Sequence, residues 1–346
     1  MPATQKRTKG SAPCGYAYLG MKRGLVLGGG GLVGISYHAG VLKALDDYGM
    51  DVKGSEIIVG TSAGALVAAY LTSGWAAADF YEYSFGRHPS SRSPAEAEAA
   101  SLRRFDPLWA SSDEHVRRVV GSLLAVAASR GLRPPGLPSN RLRGWFPPGM
   151  YSLEATRARL EADLPLAWPH KGLHICAVDL DAGRRVVFDK RSAQDVRFAD
   201  AVLAAIAIPG FFPPVQIGNN AFVDGGVVST TSLDVALDQG CDTILCIAPL
   251  GYRFDGMTSP RDPKLWPALA VRSLFARSLR RSLEKARDRG VPALVIRPGL
   301  TEVRTHGSNA MRRHDEAGIA EAAREGTLRL MEDNADHPVV RSIGVR

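Results

Sequence analysis

The stretch that most constrains this chain is residues 60–64, Gly-Thr-Ser-Ala-Gly. It follows the β-rich run Ile57-Ile58-Val59 and leads into Ala65-Leu66-Val67-Ala68-Ala69-Tyr70-Leu71, which reads as a helix. Strand, G-x-S-x-G, helix is the pattern of a nucleophile elbow. A sharp strand-to-helix turn crowds the backbone, and Gly60 and Gly64, without Cβ atoms, relieve the crowding. Ser62 is then held at the turn above a helix N-terminus, which favours negative charge. In a chain with 36 glycines, one five-residue match is not sufficient alone, so the remaining pieces carry weight.

A second glycine run lies upstream. Gly24-Leu25-Val26-Leu27 is a short apolar run of the buried-strand kind, and it ends in residues 28–34, GGGGLVG. A helix over residues 35–48 follows, with Tyr37, Val41, Leu42 and Leu45 on one stripe and Gly49 as its stop. His38 inside this helix reads as a packed residue. The run spells G-x-G-x-x-G with Gly29, Gly31 and Gly34, so a nucleotide-binding loop is one reading. An oxyanion loop is the other, since both use backbone N–H groups at a helix N-terminus to hold negative charge. A dinucleotide fold wants an acidic residue at the end of the next strand, to hold the ribose. Here Ser62 occupies that turn and Asp51 precedes the strand, which favours the oxyanion reading.

Further along, Ser152 reads as an N-cap of a helix to residue 163. Residues 173–178 and 185–188 read as a β-hairpin whose Asp179 and Asp181 serve the turn rather than a metal. Residues 199–207 read as a helix of small residues. Ala221-Phe222-Val223 is a short strand, and Asp224-Gly225-Gly226 follows it. A serine nucleophile needs a base, and Asp224 at a strand end is the candidate; partial burial would tune it towards neutral pH. Residues 243–248 and 294–297 read as further strands, residues 311–332 as a terminal helix, and the last dozen residues as frayed.

Three pieces in this order, a glycine-rich loop after strand one, G-x-S-x-G after strand two and Asp-Gly-Gly after a late strand, resemble the patatin-like phospholipase family. The apolar segment Ala205-Ile206-Ala207-Ile208-Pro209-Gly210-Phe211-Phe212-Pro213-Pro214-Val215 ahead of Asp224, and the hairpin from Cys176 to Phe188, are similar as well. The resemblance covers residues 22–250. It implies an α/β, three-layer α/β/α fold with a mainly parallel central sheet. It implies a Ser62-Asp224 dyad and an oxyanion hole formed by the N–H groups of Gly29, Gly30 and Gly31. The reaction would be hydrolysis of a lipid or phospholipid ester through an acyl-serine, without metal or cofactor. Gly34, Gly60, Gly64, Gly225 and Gly226 would support the motifs. In the family, the residue before the last glycine of the first loop is often basic; here it is Val33. A Ser-Asp-His triad would have to draw on His306, His314 or His337, none of which follows a clear strand. The readings outside this activity are a lipid-binding relative without turnover and a nucleotide-binding module using residues 28–34.

Composition completes the expectations. The formal net charge is +8, which suits anionic partners, but the basic excess is spread along the chain and nucleic acid is not expected. Residues 266–289 read as a basic amphipathic helix, with Val271, Leu274, Phe275, Leu279, Leu283 and Ala286 as its stripe and Arg272, Arg277, Arg280, Arg281, Lys285 and Arg287 around it. Such a helix can contact a membrane surface or pack its stripe on the sheet. The four cysteines, Cys14, Cys176, Cys241 and Cys246, form no C-x-x-C pair, and three lie in apolar runs of buried, reduced thiols. Residues 1–21 read as a disordered basic tail without a secretory h-region, residues 131–149 as a long loop or lid, and residues 251–346 as a mainly helical extension packed on the catalytic domain. A cytoplasmic protein, peripheral at most to a membrane, is the expectation.

Overall fold

The computed structural model describes residues 20–89, 105–118 except 109, 149–252 except 193 and 194, 266–343 except 308, 312 and 314, and the isolated residues 91, 93 and 96. Residues 1–19 of the basic tail, residues 131–148 of the lid segment, Cys14 and His314 lie outside the described residues.

Eight strands form one sheet. They are β1 Arg23–Leu27, β2 Ile57–Thr61, β3 Leu173–Asp179, β4 Arg184–Phe188, β5 Val215–Ile217, β6 Asn220–Asp224, β7 Thr243–Ile247 and β8 Ala293–Ile296. Across the sheet the order is β5-β6-β3-β2-β1-β7-β8, with β4 also paired to β3. The five strands β3, β2, β1, β7 and β8 run parallel, while β4, β5 and β6 form antiparallel pairs. The described helices are α1 Gly31–Asp47, α2 Ala63–Thr72, α3 Ala77–Ser84, α4 Glu154–Asp163, α5 Phe198–Ala205, α6 Leu233–Asp238, α7 Trp266–Asp288, α8 Leu300–His306, α9 Glu316–Asp333 and α10 Pro338–Ile343; residues 112–118 are helical as well.

The central parallel strands β1, β2, β3 and β7 are buried on both faces, as parallel strands covered on both sides must be. Alternation sorts their side chains into two cores. Leu25, Leu27, Ile58, Ile175, Leu245 and Ile247 enter the larger core, with residues of α1, α2, α5 and α9. Val26, Ile57, Val59, Cys176, Ile244 and Cys246 enter the other, with Leu233 and Leu237 of α6 and Leu279 and Ala286 of α7. Helix, sheet, helix is thus the layering, as expected.

Several boundaries move. Helix α1 starts inside the glycine run, at Gly31, four residues before the expected start. The terminal helix starts at Glu316 rather than 311, because Asp315, in the left-handed region at φ 42°, caps it by accepting from Gly318 N–H. The expected frayed end is corrected: α10 buries Val339, Val340 and Ile343, and Ser342 Oγ lies 3.0 Å from Thr243 Oγ1 on β7. The segment after residue 250 also completes the sheet, since β8 pairs with β7 and α9 crosses α1 where Gly40 meets Ala320 and Ala323. Asp179 does serve its turn: Oδ1 accepts from Asp181 N–H at 2.8 Å and Ala182 N–H at 2.9 Å. Cys176, Cys241 and Cys246 are buried free thiols.

Helix α7 packs Leu279, Ser282 and Ala286 inward, while Arg277, Arg280, Arg281, Lys285 and Arg287 face solvent. Arg272 departs from the expected charged rim: it is 5% exposed. Its Nη1 donates to Pro249 O at 2.5 Å and Gly251 O at 2.9 Å, and its Nη2 lies 2.7 Å from His306 Nδ1. Burial pulls its pKa down to about 10, so it stays a cation at neutral pH and ties off carbonyls after β7. No helix among the described residues is long and apolar enough to cross a membrane.

Candidate active site

One strand brings Ser62 and Asp224 together. β4 covers one edge of β3 over residues 175–179. The other edge is shared end to end: β2 pairs with residues 173–176 and β6, antiparallel, with residues 177–179. Thr61 is opposite Cys176 and Asp224 is opposite Ala177. Adjacent Cα atoms of a chain are about 3.8 Å apart, so β2 and β6 run head-on and stop where they meet. Ser62 is the first residue beyond β2 and Asp224 the last of β6.

Ser62 leaves β2 at φ 55°, ψ −127°, a conformation that costs a residue with a Cβ on the order of 1–3 kcal/mol. Its backbone carbonyl accepts from Ala65 N–H at 2.8 Å and Leu66 N–H at 3.3 Å, which starts α2 directly behind it. The turn closes only with glycines beside it. A Cβ on Gly64 would sit 2.0 Å from Leu27 O, and one on Gly60 would sit 2.6 Å from Ala65 Cα. The turn after Asp224 is equally close: a Cβ on Gly225 would lie 2.5 Å from Cys176 O.

Asp224 is 4% exposed. Loss of solvent raises its pKa from 3.8 to about 6, while hydrogen bonds from the Ser62 hydroxyl and from Gly226 N–H hold it down. The Gly226 bond is 2.7 Å long. The pair is therefore a hydroxyl donating to a carboxylate whose proton affinity sits close to neutrality.

The first glycine loop passes over Ser62. Gly29 has no room for a side chain: a Cβ there would lie 3.0 Å from Ser62 Cβ and 3.6 Å from Oγ. Its N–H, however, donates to Thr230 O at 2.7 Å. Gly29 therefore leaves the expected set of oxyanion donors, because its one donor is spent on the segment after Asp224. Gly30 and Gly31 stand at the N-cap and first position of α1, where backbone N–H groups have no partner within the helix. Gly31 takes φ 60°, and a Cβ there would strike Ala310 O at 2.7 Å. A Cβ on Gly34 would lie 3.3 Å from Ala63 Cβ, so α1 and α2 abut beside the nucleophile.

His38 was missed as a supporting residue. It is fully buried, with Nε2 2.7 Å from Gly28 O. Burial lowers its pKa to about 4, so it is neutral and donates from Nε2, pinning the loop to α1. Its position on the inner face of the helix that opens from the glycines was the available signal. Val33 is 4% exposed within the larger core, where a basic side chain would be desolvated. His306 is buried against Arg272 and stacks edge-on with Tyr37 at 5.4 Å; it lines neither cavity at Ser62. Asp51 lies ahead of β2 and lines neither.

Two cavities meet at Ser62. The larger, about 270 Å³, is lined by Gly29, Gly30, Gly31, Asp224, Thr230 and Phe275 among others. The smaller, about 40 Å³, runs between α1, α2 and α4 and is mostly apolar. Among the described residues no group of three or more His, Cys, Asp or Glu side chains could hold a metal ion.

Fold and site define a three-layer α/β protein with a serine on the strand-to-helix turn after β2 and an aspartate at the end of β6. The chain belongs to the patatin-like phospholipase family, whose model matches residues 25–237. An uncharacterized NTE family protein of Mycobacterium tuberculosis is 26% identical over 232 residues, 66% of this chain and 30% of that protein. The chain thus spans under a third of that relative's length. Among solved structures, VipD from Legionella pneumophila matches with a TM-score of 0.44 at 15% identity, over 90% of this chain and 67% of its own. ExoU, in its complex with SpcU from Pseudomonas aeruginosa, matches with a TM-score of 0.37 at 20% identity, over 91% of this chain and 52% of its own.

Proposed function

We propose that the protein is a serine acyl hydrolase acting on lipid esters of the phospholipase A or lysophospholipase kind, with Ser62 as nucleophile and Asp224 as base. The observation that carries this reading is the meeting of β2 and β6 on one edge of β3, which sets the Ser62 hydroxyl against a buried carboxylate. Membership in the patatin-like family supports it.

Ser62 Oγ attacks the ester carbonyl carbon as its proton passes to Asp224. The negative charge on the carbonyl oxygen is met by the N–H groups of Gly30 and Gly31, with the α1 N-terminus behind them. As the tetrahedral species collapses, the C–O bond breaks and the departing alkoxide takes the proton from Asp224, leaving an acyl-serine. Water then attacks with Asp224 again as base; the acid departs and Ser62 recovers its proton. A carboxylate with pKa about 6 is ionised at neutral pH yet basic enough to share a proton in the transition state. Lipid ester is the partner; the exposed basic face of α7 would favour an anionic membrane surface.

The test is labelling with a fluorophosphonate probe and release of p-nitrophenol from acyl esters. Both are expected from the wild type and lost in Ser62→Ala; turnover is expected to fall by at least about a hundredfold in Asp224→Asn. A folded wild-type protein with neither labelling nor turnover would sink the reading.

A further inference from the structure

Gly31, Ile208 and Met311 stand with Ser62 in the linings of both cavities. Met311 comes from beyond residue 237, where the family model stops. It is half-buried and packs against the larger core. The main chain beside it is held at two points. Met311 N–H donates to Asn309 Oδ1 at 2.9 Å, and Ala310 O accepts from Val33 N–H of α1 at 3.1 Å. The thioether reaches the glycine loop: a Cβ on Gly31 would sit 2.7 Å from Met311 Sδ. A methionine side chain adapts its shape easily, but this one is closed in between its own anchored main chain and the loop.

The inference rests on the reading of Ser62 and Asp224 given above. The reacting carbonyl then lies against Ser62 Oγ, with its oxygen towards Gly30 and Gly31. Ser62 stands on the boundary of the two cavities, so whichever of them takes the acyl chain, the chain sets out from that boundary. Carbon 2, the carbon next to the carbonyl, is bonded to the reacting centre and cannot leave it. Later carbons can turn into open space, of which the larger cavity offers about 270 Å³. Crowding from Met311 therefore falls on carbon 2 and not on the length of chain beyond it.

We propose that Met311 is a specificity-determining residue whose side chain restricts the site to acyl chains unbranched at carbon 2. Straight acyl chains of any length pass it, and a methyl branch on carbon 2 meets the thioether. A single side chain crowds one side of that carbon more than the other, so the two enantiomers of a 2-methyl acyl group are treated unequally.

Four p-nitrophenyl esters test this: octanoate, each enantiomer of 2-methyloctanoate, and 7-methyloctanoate, whose branch lies far from the carbonyl. Each kcat/KM is divided by the hydroxide-catalysed rate constant of the same ester, which removes the intrinsic effect of the methyl group. The wild type is expected to disfavour at least one 2-methyl enantiomer by about tenfold against octanoate, and to take 7-methyloctanoate about as well as octanoate. Met311→Ala should recover at least about threefold for the disfavoured enantiomer, more than for its mirror image, and leave the 7-methyl ratio unchanged. Met311→Val, a milder truncation, should move the same way, and Met311→Leu, of similar volume, should keep the discrimination. A wild type that takes both 2-methyl enantiomers as readily as octanoate overturns the proposal without recourse to a variant. So does a discrimination that Met311→Ala and Met311→Val leave unchanged, or a recovery equal for the two enantiomers, which marks a general loosening of the site. In each of these cases the hydrolase reading stands. If the wild type neither turns over any ester nor labels with fluorophosphonate, that reading fails and this proposal falls with it.

Discussion

Asp224 illustrates how a group useful in chemistry can be costly in folding. Its pKa is 3.8 when solvated and about 6 in the fold, so the folded state binds the proton more tightly than the unfolded chain. Stability from this group is then complete below about pH 4 and declines as pH rises through about 6. Two units correspond to on the order of 2–3 kcal/mol lost at neutral pH. Asp224→Asn, which can keep the bond from Gly226 N–H, is expected to raise the denaturant midpoint at pH 7.5 and not at pH 4. The wild-type kcat/KM should rise with pH along a limb centred near about 6, because the ionised carboxylate is the active form. A destabilised Asp224→Asn at pH 7.5 would show that the carboxylate is not held against its solvation preference. Sequence placed Asp224 at a strand end but could not give its burial, which comes from β6 meeting β2, a contact across more than 160 residues of chain.

The elements at the site were legible where their signals were local. β1, β2, the helix after Ser62, the hairpin of β3 and β4, and β6 all stand within a residue or two of their expected positions, because apolar runs bounded by glycine, proline and aspartate mark them. What sequence missed is made by packing between distant pieces. α10 is only six residues, started by His337 Nδ1 accepting from Val339 N–H at 3.2 Å, and its helix exists because Val339 and Ile343 find the core. Arg272 reads as surface charge by periodicity, and only the carbonyls of Pro249 and Gly251 explain why it is inside. Gly29 reads as an oxyanion donor by motif, and only Thr230 O removes it. The α1–α9 crossing is the sharpest case: a Cβ on Gly40 would lie 2.0 Å from Ala320 O and 2.9 Å from Ala323 Cβ. Gly40→Ala, normally favourable within a helix, is expected instead to destabilise by about 1–3 kcal/mol. Urea denaturation monitored by circular dichroism would read this, and an unchanged or raised midpoint would show that α9 does not rest on α1.

The chain as a whole does not divide at residue 250, although the family model stops at residue 237. β7 has β8 on its outer edge, α9 covers α1, Ser342 reaches Thr243, and Ala310 O accepts from Val33 N–H at 3.1 Å beside the glycine loop. A fragment of residues 20–250 would bare a strand edge and an apolar helix face, an aggregation hazard. It is expected to lack a cooperative thermal transition and to sediment as aggregate; a monomeric fragment with a sharp transition would contradict this. The meeting of β2 and β6 along β3 has a different kind of consequence. The spacing of Ser62 and Asp224 is set by main-chain hydrogen bonds to neighbouring residues of one strand, and main-chain bonds do not depend on which side chains the strand carries. Sequence drift along β3 can therefore proceed without disturbing the site, provided the strand keeps its length; a single inserted or deleted residue at the junction would part the two groups while leaving every functional side chain in place.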